Sequence, residues 1–294
     1  PWLTRVYLEG VPDEYQILVS NPSDARRKTL ELIDRGAQVI KTWVGLTKED
    51  YQAIVDAAHS RNIKVHAHLY HPKAIQDAID TGVDVFQHVG SARNPLYPPE
   101  LVAQITHRGI PIVQTISHRI WVYPRTKSFP SRLDNAFLEQ DIPSDIYREL
   151  QESFKQFHRL SYFSEIGLET RNSKQSARQF IDANAVMGVG TDAASPLNFH
   201  TEAIWIELGA LVDSGMTPIQ AISAATKTNA EILDHFETLG TIEPGKLADL
   251  IVVDGNVLTQ MGDIPRVEIV VKDGRLWHQL KQPDDNLQTI AQPL

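Results

Sequence analysis

The chain has 294 residues, 42% of them hydrophobic, and a formal charge of −9 at pH 7. That length suits one large α/β domain with a small appendage, and the apolar share supports a real core, which excludes a disordered chain. Scattered Lys and Arg argue against nucleic acid as a partner, no uninterrupted apolar run of about 18 residues marks a membrane span, and the lack of cysteine removes disulfides, thiolate ligands and a Cys nucleophile.

Pro1-Trp2-Leu3 opens the chain without an initiator Met or a signal-peptide pattern, which leaves the compartment open. EYQILVS, close behind, reads as a strand. Residues 23–36 predict a helix, with Asn21-Pro22-Ser23 as the entry turn and Gly36 as the exit. The apolar run GAQVIK then ends at Lys41. Residues 48–60 set Tyr51, Ile54, Val55 and Ala58 on one helical face. NIKVHAH follows, a strand carrying His66 and His68. Residues 72–82 repeat the helical pattern between Pro72 and Gly82, and VDVFQH ends at His88. A helix over 98–109 and a strand over 110–116 complete this regular stretch. Strand followed by helix, with glycine at the helix exits, predicts parallel βαβ units.

After residue 117 the alternation stops. Residues 118–183 are polar, aromatic-rich and mostly helical in pattern. They read as an insertion that either shapes a substrate pocket or only buries itself. A strand over 185–192, from NAVMGVGTD, delivers Asp192. Helices over 201–214 and 218–233 follow, the second opened by Thr217-Pro218. GTIEPGKLADLIVVDGN and PRVEIVVKDGRLW then alternate like strands, and Lys272-Asp273-Gly274-Arg275 predicts a hairpin turn. The expected domains are a (β/α) barrel portion over 1–237, including the helical insertion at about 118–183, and the C-terminal strands of a small β-sandwich over 238–294. From residue 37 onward about five barrel strands can be counted, six with EYQILVS, where a closed barrel needs eight. The expected fold is therefore an α/β, TIM-type (β/α)8 barrel that is N-terminally incomplete. Open sheet edges invite association, so a homo-oligomer is left open.

Lys41, His66, His88 and Asp192 each close an apolar run. In a (β/α) barrel the C-terminal strand ends carry the chemistry, so these four are expected on one rim. Neutral imidazole is a common zinc ligand, although a single buried His can as well bond a carbonyl. A neutral Lys41 amine can add CO2 to form an anionic carbamate that bridges two cations, or its stem can snorkel to solvent. Asp192 can bind a metal and take a proton from an activated water, or cap the helix that follows. His68 comes two residues after His66 and is expected to face the opposite way or to splay apart at the strand end. That would argue against one shared ion and leave His68 or Tyr70 to contact substrate, with His118 a weaker candidate of the same kind. The chain has no phosphate loop, no GxSxG elbow and no HExxH helix.

VIKTW, KVHAH, GVDVFQHVG, GVGTDAASP and LGTIEPGKLADLIVVDGNVL together resemble the amidohydrolase superfamily, in its imidazolonepropionase-like and Xaa-dipeptidase (prolidase-type) branch, over about residues 22–277. The resemblance implies two divalent ions in the complete protein, expected to be zinc, with carboxylated Lys41 as the bridging ligand. It makes His66 and His88 ligands of the more exposed ion and Asp192 a ligand of the buried one. Asp192 would also be the general base and then the proton donor. The family's first strand carries an HxH pair, and no such pair precedes Lys41. The HxH of this chain is His66-Ala67-His68.

The reaction these readings imply is metal-dependent hydrolysis of an amide-like, non-aromatic C–N bond by a metal-bound hydroxide. The substrate would be a small molecule such as a dipeptide, an acyl-amino acid or a cyclic amide. Two alternatives stay open: a non-catalytic barrel remnant that binds a ligand or partner, and an esterase or lactonase using the same site.

Overall fold

The first three helices begin where a side chain can accept from their unsatisfied amides. Asn21 accepts from Asp24 N at 3.0 Å and starts α1 (Pro22–Asp34). Thr47 and Asp50 form a reciprocal capping box that starts α2 (Lys48–His59). Proline stands in the first turn of α3 (Pro72–Thr81) and of α4 (Pro99–His107), where its missing N–H costs nothing. Gly82 ends α3 at φ 83°, a left-handed position that L side chains resist. Between these helices run β1 (Val39–Thr42), β2 (Lys64–His68), β3 (Val85–Gln87) and β4 (Ile112–Gln114).

The structure is a computed structural model that describes residues 17–89, 96–134, 136–156, 166–193, 195 and 197–279. These residues fall into two compact units. In the first, which runs to Val89 and includes Tyr97–Val113 and Ala183–Val186, the strands pair in parallel in chain order. Lys41 stands opposite His66, His66 opposite Val85, and Gln87 opposite Val113. The alternate positions Ile40, Val65, Ala67 and Phe86 are buried, as are Ile54, Val55 and Ala58 of α2 and Ile75, Ala78 and Ile79 of α3. One face of the sheet is therefore apolar and the other holds the candidate chemistry. Each strand is shorter than its predicted run. Of EYQILVS, residues 14–16 lie outside the described residues, and Ile17–Ser20 adopt no regular structure.

The second unit takes in Gln114–Asp182 and the chain from Met187 onward. The insertion is helical, as its pattern predicts. It opens with a π-turn over His118–Val122, followed by α5 (Tyr123–Ser128), α6 (Ala136–Asp141), α7 (Ser144–Phe154) and α8 (Ile166–Asp182). Val122, Tyr123, Leu133, Phe154 and Ile166 form a core with Leu197 and Ile206. The insertion thus buries its apolar face against the segments that follow β5 (Met187–Val189) and lie in α9 (Ala203–Asp213). Arg132 and Glu202, both almost fully buried, pair within this unit. All five strands predicted from residue 37 onward are formed.

The helix predicted over 218–233 is not continuous. It breaks into α10 (Pro218–Ser223), a π-turn over Ala224–Thr228, and α11 (Asn229–Ile232). Just past the break, Asn229 spends its side chain on β5, accepting from Val189 N at 3.0 Å and donating to Val189 O at 2.8 Å. The antiparallel strands β6 (Leu250–Val253), β7 (Val267–Lys272) and β8 (Arg275–Gln279) follow. Asp273 and Gly274 turn the β7–β8 hairpin at φ 52° and 71°, the two positive angles that a tight hairpin turn requires.

Candidate metal centre

Lys41, His66 and His68 share one face of the first unit's sheet, because residues two apart in a strand point the same way. The expectation that His66 and His68 face opposite ways is thereby corrected. Gln87 stands opposite His68 on the same face, and its amide nitrogen lies 3.0 Å from His66 Nδ1. With that amide turned about its terminal bond, its carbonyl oxygen accepts from Nδ1–H instead, and His66 Nε2 is left for a ligand role.

His88 reaches the cluster by another route. It follows β3 at φ 64°, a left-handed conformation uncommon outside glycine. Its backbone N still donates to Val113 O at 3.1 Å, so the strand end is held while the residue turns. The imidazole comes to rest with Nε2 3.4 Å from Lys41 Nζ and its ring centroid 4.6 Å from that of His68. The ring of Tyr70 lies 4.5 Å from His68, and Tyr97 OH donates to Tyr70 O at 2.9 Å, fixing the rim there. Trp43 was not among the residues singled out from sequence. Its ring lies 3.9 Å from His68, and it remains 44% exposed. The signal was its place in VIKTW, two residues beyond Lys41.

As an ammonium, Lys41 Nζ is no ligand, so the ligating nitrogens gathered here are those of His66, His68 and His88. Among the described residues, no three His, Cys, Asp or Glu side chains already form a metal cage. The donor set nevertheless fits a divalent ion. Burial first, and the charge of Lys41 second, lower the His66 pKa to about 4, so its ring is neutral and able to ligate at neutral pH.

That shift has a sign. As pH falls below the ordinary value of 6.5, the unfolded chain protonates at this position before the folded one does. Stability from neutral His66 is present above pH 6.5 and is lost as pH falls toward about 4. Chelator-treated protein should therefore show a urea midpoint that declines across this window, and His66→Gln should flatten the decline. Equal slopes in the two proteins would remove His66 as the cause.

Asp192 and His118 belong to the second unit. Asp192, like His88, follows its strand in left-handed backbone, at φ 50°. Its Oδ2 accepts from Ser195 Oγ at 2.9 Å, and Asn198 Nδ2 donates to Thr191 O at 2.7 Å, which fixes the turn on both sides. His118 is buried at the head of the first π-turn, its ring 5.6 Å from that of Tyr123. Lys41, His66, His68, Tyr70 and His88 are thus gathered in one unit, while Asp192 and His118 lie at strand ends of the other.

Comparison with known proteins gives the cluster a context. A profile described as the Amidohydrolase family matches residues 22–277. The imidazolonepropionase of Thermoplasma volcanium is 35% identical over 89 residues, a stretch covering 30% of this chain and 22% of that protein. The imidazolonepropionase of Streptomyces griseus is 33% identical over 101 residues, covering 34% of this chain and 26% of that protein. A solved Xaa-Pro dipeptidase with bound methionine is similar at TM-score 0.70 and 24% identity, over 92% of this chain and 64% of that one. The Aspergillus niger ochratoxinase (A. niger) is similar at TM-score 0.65 and 22% identity, over 89% of this chain and 55% of that one. At these identities the solved structures show a shared fold. The chain spans less than two thirds of their length.

Proposed function

The chain belongs to the amidohydrolase family, and from that premise we propose that the protein is a metal-dependent hydrolase of amide-like C–N bonds in a small molecule. The observation that carries this reading is the convergence of Lys41 and His88 at 3.4 Å, beside His66 and His68, at the C-terminal ends of parallel strands. His66 and His88 would hold a divalent ion, expected to be zinc, with Lys41 carboxylated as the bridge between two. Asp192 would complete the ligand set. Bound divalent ions supply Lewis acidity toward a carbonyl and make water more acidic.

The chain's own residues would do the rest. Gln87 orients His66 and keeps its second nitrogen directed at the ion. Asp192 accepts a proton at Oδ and passes it to the departing nitrogen, and Ser195 holds that carboxylate in place. His68, Tyr70 and His118 are proposed to contact the substrate. A dipeptide, an acyl-amino acid and a cyclic amide all suit this chemistry, and the names of the relatives point to the same range of compounds. We also propose the barrel portion over 1–237 and the sandwich strands from 238 as separate domains.

Metal analysis with a substrate panel tests the reading. About two divalent ions per chain are expected, with amide hydrolysis lost after chelation and restored by zinc. Full hydrolysis in metal-free protein would overturn the metal dependence. Turnover of esters and lactones, with every amide untouched, would replace the bond class.

A further inference from the structure

Glu207 sits on α9 between Ile206 and Leu208, both buried, and is itself fully buried. An apolar side chain would fill this place at less cost, because an ionised carboxylate loses its hydration there. Burial pushes its pKa up to about 7, against the pull of the hydrogen bonds it accepts. Those bonds come from backbone distant in sequence. Ile116 N donates to one carboxylate oxygen at 2.8 Å and Ser117 N to the other at 2.7 Å.

These two amides lie where β4 has ended and the π-turn of His118–Val122 begins. Neither is engaged by a strand ladder at that point, and buried N–H groups need an acceptor. A π-turn is rare, and it is frequent at functional sites. The carboxylate therefore satisfies the chain as it leaves the strand and sets the direction in which the next residue, His118, departs.

We propose that Glu207 is a positioning residue: it fastens Ile116 and Ser117 so that His118, at the head of the π-turn after β4, is presented to the substrate. This rests on the substrate-contacting role proposed for His118.

The test is a double-mutant cycle in the full chain, using the dipeptide that the panel shows to be hydrolysed fastest. Glu207→Gln supplies one acceptor and one donor to two donors. It should raise KM roughly ten-fold with a smaller change in kcat, the same split as His118→Ala, while metal content stays constant. Glu207→Gln added to His118→Ala should cost little more, because the two act as one. Losses that multiply in the double variant, or a lowered Tm with KM unchanged, would overturn the proposal. If Glu207→Gln does not fold, Glu207→Asp carries the same cycle. The NMR signal of the His118 ring gives a readout that needs no turnover. It should shift in Glu207→Gln, and an unmoved signal would overturn the positioning role even if the protein hydrolyses nothing. A wild-type protein without metal or hydrolysis, in which that signal does shift, would instead fault the functional reading and leave the positioning intact.

Discussion

Lys41→Ala is expected to release metal and to abolish most hydrolysis. The reason lies in what Nζ approaches. It stands 3.4 Å from His88 Nε2 and beside His66, whose pKa its charge helps to depress. An ammonium among imidazoles repels any cation, whereas the carbamate formed by adding CO2 to the neutral amine reverses the sign and offers two oxygens. Alanine removes the bridge altogether. The loss should exceed the roughly 10–100-fold typical when a group that only orients a metal ligand is deleted. Short carboxylic acids added to Lys41→Ala should restore part of the rate by supplying the missing anion. Steady-state rates and metal counts check this together, and an unchanged rate in Lys41→Ala would reduce the residue to a surface lysine.

Asp192→Asn should keep the fold and lose the proton transfer. Asparagine accepts left-handed backbone about as readily as aspartate, so φ 50° is no obstacle to the substitution. The side chain can still take the Ser195 hydrogen bond, but an amide oxygen cannot accept and return a proton at neutral pH. A group in this role contributes roughly 10²–10⁴-fold, and the weakened metal ligand adds to the loss. Turnover measured with metal in excess is the check. Near wild-type turnover would take Asp192 out of the mechanism.

Much of this was legible in the chain. Apolar residues spaced as on one helical face marked α2, and the Pro and Gly flanking 72–82 marked the ends of α3. VVKDGRLW predicted the β7–β8 turn because Asp-Gly supplies the two positive φ angles cheaply. Lys41, His66 and His88 could be singled out because polar residues ending apolar runs are costly without a purpose. What could not be read follows from long-range geometry. Alternation along β2 places His68 on the same face as His66, and the register with β3 sets Gln87 opposite it. Glu207 looks like one polar residue in an apolar helix, and its partners lie 90 and 91 positions away. The break at Ala224–Thr228 lies in a stretch with ordinary helical composition. Nothing local announces that the helix will yield there, with Asn229 clasping β5 just beyond.

The left-handed backbone at His88 and Asp192 bears on how such a chain would change over generations. Holding a residue with a Cβ in that region costs roughly 1–2 kcal/mol, and glycine escapes most of it. Asp192 is exposed, so Asp192→Gly would leave no cavity and should raise the melting temperature while ending proton transfer. A library of variants sorted for thermal tolerance alone would therefore drift toward glycine at this position and discard the chemistry unnoticed. The same pressure would act on a gene copy released from catalytic duty.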